Sequence, residues 1–280
     1  MEVGRGRGRP RKAFQEYLTD ASGASVGHDD YVRSPGSAFL RYTVEAKNAV
    51  ELCRLRFEKK NDGTYTKDSA DSLQYIVAGM LPAIMGHFET YLRYLFGGMF
   101  DLSVYLQEFK IDQFLKDLSH RQQVSIDPLR LSAYRGRGAE SVGLVLADSL
   151  HGWQWPECVN EYFTAFGIRR QLFSGDDCGQ LNVLWQFRHS IVHTGGTLAL
   201  PDAQRHSELV DLGTRKVVFE DRFVLEVARK MHRIVAMSTT ALGKAFRAKL
   251  EPSVPVEELE SVNGLFLVES PIPAWLPRTS

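Results

Sequence analysis

Residues 68–96 read DSADSLQYIVAGMLPAIMGHFETYLRYLF and make up the most apolar helical stretch of this 280-residue chain. The segment is predicted to be a helix that Pro82 kinks or splits and that Gly97 and Gly98 bring to an end. Its most apolar part, residues 75–86, is too short to cross about 30 Å of hydrocarbon. The stretch therefore predicts a core helix, and no membrane span is predicted for the chain.

Helical spacing of apolar residues extends over much of the remaining sequence. Turn residues at 61–63 and loops at 129–138 and 174–179 separate the helices. Residues 208–210 and 216–219 flank a turn and predict a small β-hairpin. The predicted helices cover residues 39–57, 68–96, 102–118, 139–151, 156–168, 181–193 and 223–250. The predicted fold class is therefore all-α, a helical bundle with a small β-hairpin before the last long helix.

The composition is that of a soluble globular protein. Hydrophobic residues make up 44% and charged residues 24%, and 16 Phe, 10 Tyr and 4 Trp supply a core, which excludes a wholly disordered, collagenous or coiled-coil chain. Three domain segments are predicted: a flexible basic arm at 1–38, a helical domain at 39–250 and a proline-rich, extended tail at 251–280. The three cysteines are widely spaced, so we expect no disulfide framework, no zinc site, no cofactor and a cytoplasmic location.

The net charge of zero conceals an uneven distribution. Residues 1–12 contain five of the 34 basic residues and one of the 34 acidic residues, so the rest of the chain has a net charge of −4. A basic arm on a mildly acidic body predicts that the arm meets a polyanion. The charge of the body argues against a protein coated in nucleic acid.

Within the arm, RGRGRPRK at residues 5–12 resembles an AT-hook, whose Arg-Gly-Arg-Pro core corresponds to Arg7, Gly8, Arg9 and Pro10. An extended chain with glycine between arginines fits a narrow A·T minor groove and its negative potential. The resemblance implies A·T-rich DNA as a partner. A nonspecific polybasic arm with salt-sensitive binding to any nucleic acid is the alternative.

A chemically distinctive segment is LWQFRHSIVHTGG at residues 184–196. It places Arg188, His189, Ser190 and His193 at the C-terminal end of a predicted helix. Arginine offers a permanent charge and a planar donor fork suited to phosphate, and histidine exchanges protons near neutral pH. A metal-free ribonuclease needs these two groups, one to take the proton of a 2′-hydroxyl and one to stabilise charge at phosphorus.

The context of this pair resembles the signature of the HEPN superfamily (higher eukaryotes and prokaryotes nucleotide-binding), whose members have Arg, a polar residue and then His on a short helical stretch. Arg188 and His193 match the two charged positions directly, and His189 matches the polar position. Residues 85–96, with an acid and aromatics in an apolar helix, look like an early helix of that fold. The resemblance covers roughly residues 68–250.

The resemblance implies a helical bundle that dimerises through the motif helices. It also implies metal-independent RNA cleavage leaving a 2′,3′-cyclic phosphate, often by toxins or effectors of antiviral abortive infection. Helix geometry favours a dimer independently, because positions five apart point about 140° away from each other. One helix alone therefore aims Arg188 and His193 poorly at one phosphate, whereas two copies across a dyad bring the pairs together.

Other interpretations of these residues remain open. In one of them the segment is an ordinary helix end, with Arg188 in an ion pair and His193 bound to the last carbonyl groups of the helix. His189 and His193, four apart, bind a metal in another interpretation, although no third ligand follows at a recognisable spacing. Glu89 has either a site role toward RNA or pairs with Arg93.

Arg169 and Arg170 precede the motif helix and are candidate RNA-binding residues, or else a solvated helix end. The predicted function is a cytoplasmic, homodimeric HEPN-type endoribonuclease that acts as a toxin or antiviral effector, with RNA as substrate and an antitoxin or sensor as a further partner. The alternative is a noncatalytic HEPN-like nucleic-acid-binding or assembly protein tethered to DNA by the arm.

Overall fold

A computed structural model describes residues 13, 15, 26–119 and 141–277. The predicted all-α class is confirmed, since β-pairing in these ranges is limited to isolated bridges. The α-helices of the described ranges, in chain order, are α1 (His28–Arg33), α2 (Pro35–Arg56), α3 (Lys67–Leu102), α4 (Ile111–Ser119), α5 (Val142–Ser149), α6 (Pro156–Thr164), α7 (Gly175–His193), α8 (Leu200–Ala203), α9 (Phe223–Arg247) and α10 (Val256–Leu265).

Helix α3 is the centre of the bundle and packs against α1, α2, α5, α7, α9 and α10. Its 36 residues extend over about 54 Å at 1.5 Å per residue. The buried side chains recur at three- and four-residue intervals, which gives the helix a continuous apolar face, and include Leu73, Val77, Leu81, Ile84, Phe88, Leu92, Leu95, Phe96 and Met99. None of the helices in the described ranges is long and apolar enough to span a membrane.

Helix α3 is not split at Pro82, and the prediction that Gly97 and Gly98 end it is wrong. Helix α3 runs through all three residues to Leu102. The two glycines serve helix packing, because a Cβ on Gly97 would lie 2.9 Å from the Leu144 backbone nitrogen and a Cβ on Gly98 would lie 2.5 Å from the Leu265 side chain. They allow α5 and α10 to approach α3 more closely than any side chain would permit.

The predicted flexible arm is wrong for residues 28–38. Helix α1 covers His28–Arg33, and α2 begins at Pro35, where proline suits the first helical turn. Tyr31 of α1 is buried against α3, and its hydroxyl lies 2.8 Å from Nδ1 of His87. This aromatic anchor in an otherwise polar segment gives the helix a place in the core. Residues 1–25 of the arm, except 13 and 15, lie outside the described ranges.

The predicted extended tail is also wrong, because residues 256–265 form α10. Its Val262 and Leu265, with the following Phe266, are buried in the main core. Beyond α10 the chain returns along α9, where His232 holds it. His232 Nδ1 donates to the Ala228 carbonyl at 2.7 Å, and Nε2 accepts from the Ser270 hydroxyl at 2.8 Å. The prolines of this segment flank helices instead of keeping the whole tail extended.

The predicted β-hairpin is not present. Residues 207–212 form a 3₁₀ helix, and Lys216 makes an isolated antiparallel bridge with Thr197 rather than with residues 208–210. Leu209 of the 3₁₀ helix is buried in a small cluster with Leu198 and Ala203. Because Leu209 packs on residues that follow α7, the 3₁₀ helix lies beside those residues and does not pair with the strand-like segment that comes after it.

The contact between α3 and α5 is predicted to be intolerant of even one methyl group. A Cβ at Gly143 would lie 2.0 Å from the Gly97 carbonyl oxygen, so Gly143→Ala is expected to lower the unfolding free energy by about 1–3 kcal/mol. Gly86→Ala, in the exposed part of α3 with no atom within 4 Å of the new Cβ, is expected to raise it by about 0.5–1 kcal/mol. Urea denaturation measures both, and equal effects would refute the packing argument.

The anchored tail predicts that stability depends on pH through His232. Burial lowers the pKa of His232 below the usual value near 6.5. The unfolded chain then binds a proton that the folded chain does not, so stability falls as the pH drops below about 6.5. In His232→Gln, the loss of unfolding free energy between about pH 7.5 and 5.5 should be smaller than in the original protein. An identical loss in both proteins would show that His232 does not contribute.

Candidate active site

The motif helix α7 begins earlier than predicted. Ser174 is its N-cap: Ser174 Oγ accepts from the Asp177 backbone N–H at 3.2 Å, and the Asp177 carboxylate accepts from the Ser174 N–H at 3.3 Å. This reciprocal capping box starts a helix at Gly175, inside the segment 174–179 that was predicted to be a loop. Cys178, Leu181, Leu184 and Trp185 then bury one side of the helix.

The C-terminal end of α7 is where the sequence predicted it. Gly195 and Gly196 have φ angles of +63° and +87°, a conformation that glycine adopts without strain. The Gly196 N–H donates to the Ser190 carbonyl at 2.8 Å, which turns the chain back. As a result the short helix α8 and the residues after it return beside the last turn of α7.

A cleft of about 640 Å³ lies between this end of α7, the start of α6, α8 and the middle of α3. The predicted site residues Arg188, His189, His193 and Glu89 all border it. The remaining wall residues are mostly polar or aromatic and comprise Gln154, Trp155, Glu157, Asn182, Trp185, Gln186, Asp202, Arg205 and His206. Two arginines and three histidines therefore face the same volume.

Arg188 and His193 border one cleft although they are five positions apart on the helix. The Arg188 side chain is half-buried, and His193, the last residue of α7, is exposed. Among the described residues, no carboxylate lies within ion-pair distance of Arg188, and His193 makes no hydrogen bond to a carbonyl of the helix end. The described residues therefore do not support the interpretation of Arg188 and His193 as an ordinary helix end. The guanidinium has its donor fork available to a ligand.

The other histidines of the cleft have defined neighbours. The rings of His189 and His193 lie 4.7 Å apart between centroids, tilted by 43°. His189 Nε2 is 3.9 Å from Oδ2 of Asp202, and Arg205 is 3.7 Å from the other oxygen of that carboxylate. Asp202 thus lies between the His189 imidazole and the Arg205 guanidinium.

Glu89 forms the ion pair with Arg93, which was one of its two interpretations from the sequence. The Arg93 guanidinium contacts Glu89 Oε1 at 2.5 Å and Asp148 Oδ1 at 2.8 Å, and it lies 5.9 Å from the Trp153 ring centroid. Arg93 is thus shared between two carboxylates, so it offsets only part of the negative charge that Glu89 brings to the cleft.

Arg169 and Arg170 do not border the cleft. Both are exposed in the loop before α7, and the helix carries Arg188 about 20 Å from its first turn. Arg7, Gly8, Arg9 and Pro10 of the arm lie outside the described residues, and DNA binding there stays a prediction.

Several wall residues were missed by sequence reasoning. Asp202, Arg205 and His206 come after the Gly195-Gly196 turn, and a tight reversal after a helix was the available signal that they return to it. Trp155 was also missed: Trp153 is 1% exposed and belongs to the core, but Trp155, two residues later, is 55% exposed and borders the cleft.

The interpretation of His189 and His193 as metal ligands finds no third ligand here. Within residues 26–119 and 141–277, no group of three His, Cys, Asp or Glu side chains is arranged to hold a metal ion.

Comparisons with family models, with curated proteins and with solved structures found no match to this chain.

Proposed function

We propose that this protein is a metal-independent endoribonuclease of HEPN type. The observation that carries the proposal is the shared cleft, which is lined by the exposed His193 and by Arg188, whose guanidinium has no carboxylate partner among the described residues. The volume of about 640 Å³ is within the size range of small-ligand sites and can hold one or two nucleotides. Arg205 lies beside the Asp202 carboxylate, whereas no carboxylate of the described residues lies within ion-pair distance of Arg188, so Arg188 is the cleft cation that suits a phosphodiester.

In this mechanism His193 accepts the proton of an RNA 2′-hydroxyl. The 2′-oxygen forms a bond to the adjacent phosphorus, the bond from phosphorus to the 5′-oxygen breaks, and a proton returns to that oxygen. The products are a 2′,3′-cyclic phosphate and a 5′-hydroxyl end. Arg188 binds the phosphate and stabilises the charge that grows on its oxygens, which is worth most in a site that excludes water. His189, held beside Asp202, assists the proton transfer.

The proposal extends to biological role and partners. A ribonuclease that requires no cofactor is active whenever RNA is present. A toxin or an effector of abortive infection of this kind therefore needs a neutralising antitoxin or a sensor that controls its activity. A cytoplasmic location agrees with the wide spacing of the three cysteines in the sequence. The AT-hook-like arm adds A·T-rich DNA as a second nucleic-acid partner, outside the cleft.

The decisive test is RNA cleavage by purified protein in EDTA. His193→Ala is expected to lower the rate by about 10²–10⁴-fold, because a positioned acid–base group is lost. Arg188→Ala is expected to lower it by about 10²–10³-fold, and Arg188→Lys substantially, since an ammonium group cannot reproduce the two-donor fork. Gel analysis of the products should show 2′,3′-cyclic phosphate ends.

Two variants control for general damage to the protein. Arg233→Ala removes an exposed arginine from α9, and His28→Ala removes an exposed histidine from α1, both outside the cleft. Each should retain the original cleavage rate, and circular dichroism should show that all variants fold. Wild-type cleavage by His193→Ala would overturn the catalytic assignment. Folded, RNA-binding protein without cleavage would favour the noncatalytic alternative, and inhibition by EDTA with rescue by zinc would favour the metal interpretation.

The proposed enzyme is a C2 dimer with the α7 helices facing each other. Val192, beside His193 on α7, is 48% exposed and gives the facing helices an apolar contact. Sedimentation at micromolar concentration should give about twice the chain mass of 31.6 kDa, and Val192→Asp should shift the protein toward monomer. A monomer with full ribonuclease activity would refute this arrangement.

A further inference from the structure

Trp155 is the tryptophan whose exposure the core does not explain. All four tryptophans lie in the described ranges; Trp153 and Trp185 are buried, Trp275 is half-buried, and Trp155 is 55% exposed. No aromatic ring or cation of the described residues stacks on the Trp155 indole. Its ring instead borders the cleft that contains Arg188 and His193. An exposed tryptophan in a cleft offers a free flat surface of large area.

The backbone holds Trp155 in place even though its side chain is free. The Trp155 N–H donates to the Gly152 carbonyl at 2.9 Å, and the Trp155 carbonyl accepts from the Val159 N–H at 3.0 Å. Gly152 supplies a φ of +83° for the turn, and Pro156 starts α6 immediately afterwards. The indole is therefore presented from a fixed point, at little entropic cost for a ligand that stacks on it.

The neighbouring Trp153 explains why this turn is rigid. Its ring packs on Phe96 and Tyr162, and its Nε1 donates to the Ala147 carbonyl at 3.1 Å. The two tryptophans thus have opposite environments: one secures the turn to the core, and the other faces the cleft.

Polar groups beside the indole complete a site for a planar, hydrogen-bonding ligand. Gln154 is exposed at the rim, and the Asn182 amide donates to Glu157 at 2.9 Å across the gap between α7 and α6. The exposed Gln154 amide carries both a donor and an acceptor and is able to bind the edge of a base from the rim.

We propose that Trp155 is the stacking platform for an unpaired nucleobase of the RNA whose phosphate binds at Arg188. This subsite rests on the proposed function and adds a substrate class to it, since a base can stack on the indole only after leaving a duplex. The enzyme is therefore selective for single-stranded RNA, loops or bulges. Trp155 is a positioning residue that does not itself take part in proton transfer.

The experiment measures binding of the full chain, separately from cleavage. The probe is a fluorescent single-stranded RNA with 2′-O-methyl groups, which removes the nucleophile, and its anisotropy is followed in EDTA. Loss of one base stack corresponds to about a 5- to 150-fold loss of affinity, which is expected for Trp155→Ala. Trp155→Phe should retain most of the affinity. Tyr75→Ala, which removes an aromatic side chain that is 78% exposed on α3 outside the cleft, should bind as the original protein does.

A set of probes with one abasic nucleotide at successive positions identifies stacking as the cause. At one position the missing base should weaken binding to the original protein by the same factor as Trp155→Ala, and it should have no further effect on that variant. A duplex of the same sequence should bind both proteins equally. Unchanged affinity of Trp155→Ala, or additive losses at every abasic position, would overturn the stacking site.

The outcome also separates this inference from the proposed function. If Trp155→Ala cleaves and binds normally while His193→Ala is inactive, the ribonuclease assignment stands and the base site is wrong. If the original protein does not cleave RNA but shows the abasic coupling, the base site stands and the catalytic assignment is wrong. If the original protein does not bind the single-stranded probe, the base site is overturned.

Discussion

The structure depends on the burial of α3 along nearly all of its length. A helix that is apolar on so wide a face is stable in water only when other helices surround it, and six of them contact α3. The backbones of α3 and α5 touch at Gly97 and Gly143, with no side chain between them, and this contact sets the distance between the two helices. That distance in turn fixes Asp148, Trp153 and the start of α6, which forms one wall of the cleft. Packing in the core, and not polar contacts within the cleft, thus positions the site.

The second requirement of the site is the chain reversal after α7. Helix α7 brings Arg188 and His193 to one end of the bundle, but a helix end alone is an open surface. The two glycines with positive φ return the chain, and burial of Leu209 with Leu198 and Ala203 holds the returning segment in place. A convex helix terminus becomes a concave site because a small second core lies beside it.

Much of the fold followed from local sequence. The apolar periodicity of residues 181–193 and 223–250 predicted α7 and α9, and Arg188, His189 and His193 were found as neighbours in the sequence before they were found as neighbours in a cleft. The errors share one physical origin, which is that the environment decides what a glycine or a short apolar segment does. Gly97 resembles a helix stop until a partner helix is placed against it, and Tyr31 or Phe266 in a polar segment reveals a helix only when the core is known. Trp155 joins the site through tertiary contacts, on which a single sequence carries no signal, whereas for Asp202 the Gly195-Gly196 turn is the one local signal.

The Arg93 guanidinium, between Glu89 and Asp148, links the electrostatic potential of the cleft to a helix that does not border it. Asp148 lies on α5, and together with Glu89 it holds Arg93 behind the rim. Neutralising Asp148 would therefore leave more of the Arg93 charge to offset Glu89, and the local field would become more attractive to a polyanion. Long-range association rates for charged ligands depend on that field and on ionic strength. In the proposed ribonuclease, Asp148 would therefore affect how fast RNA associates with the cleft without taking part in the cleavage step.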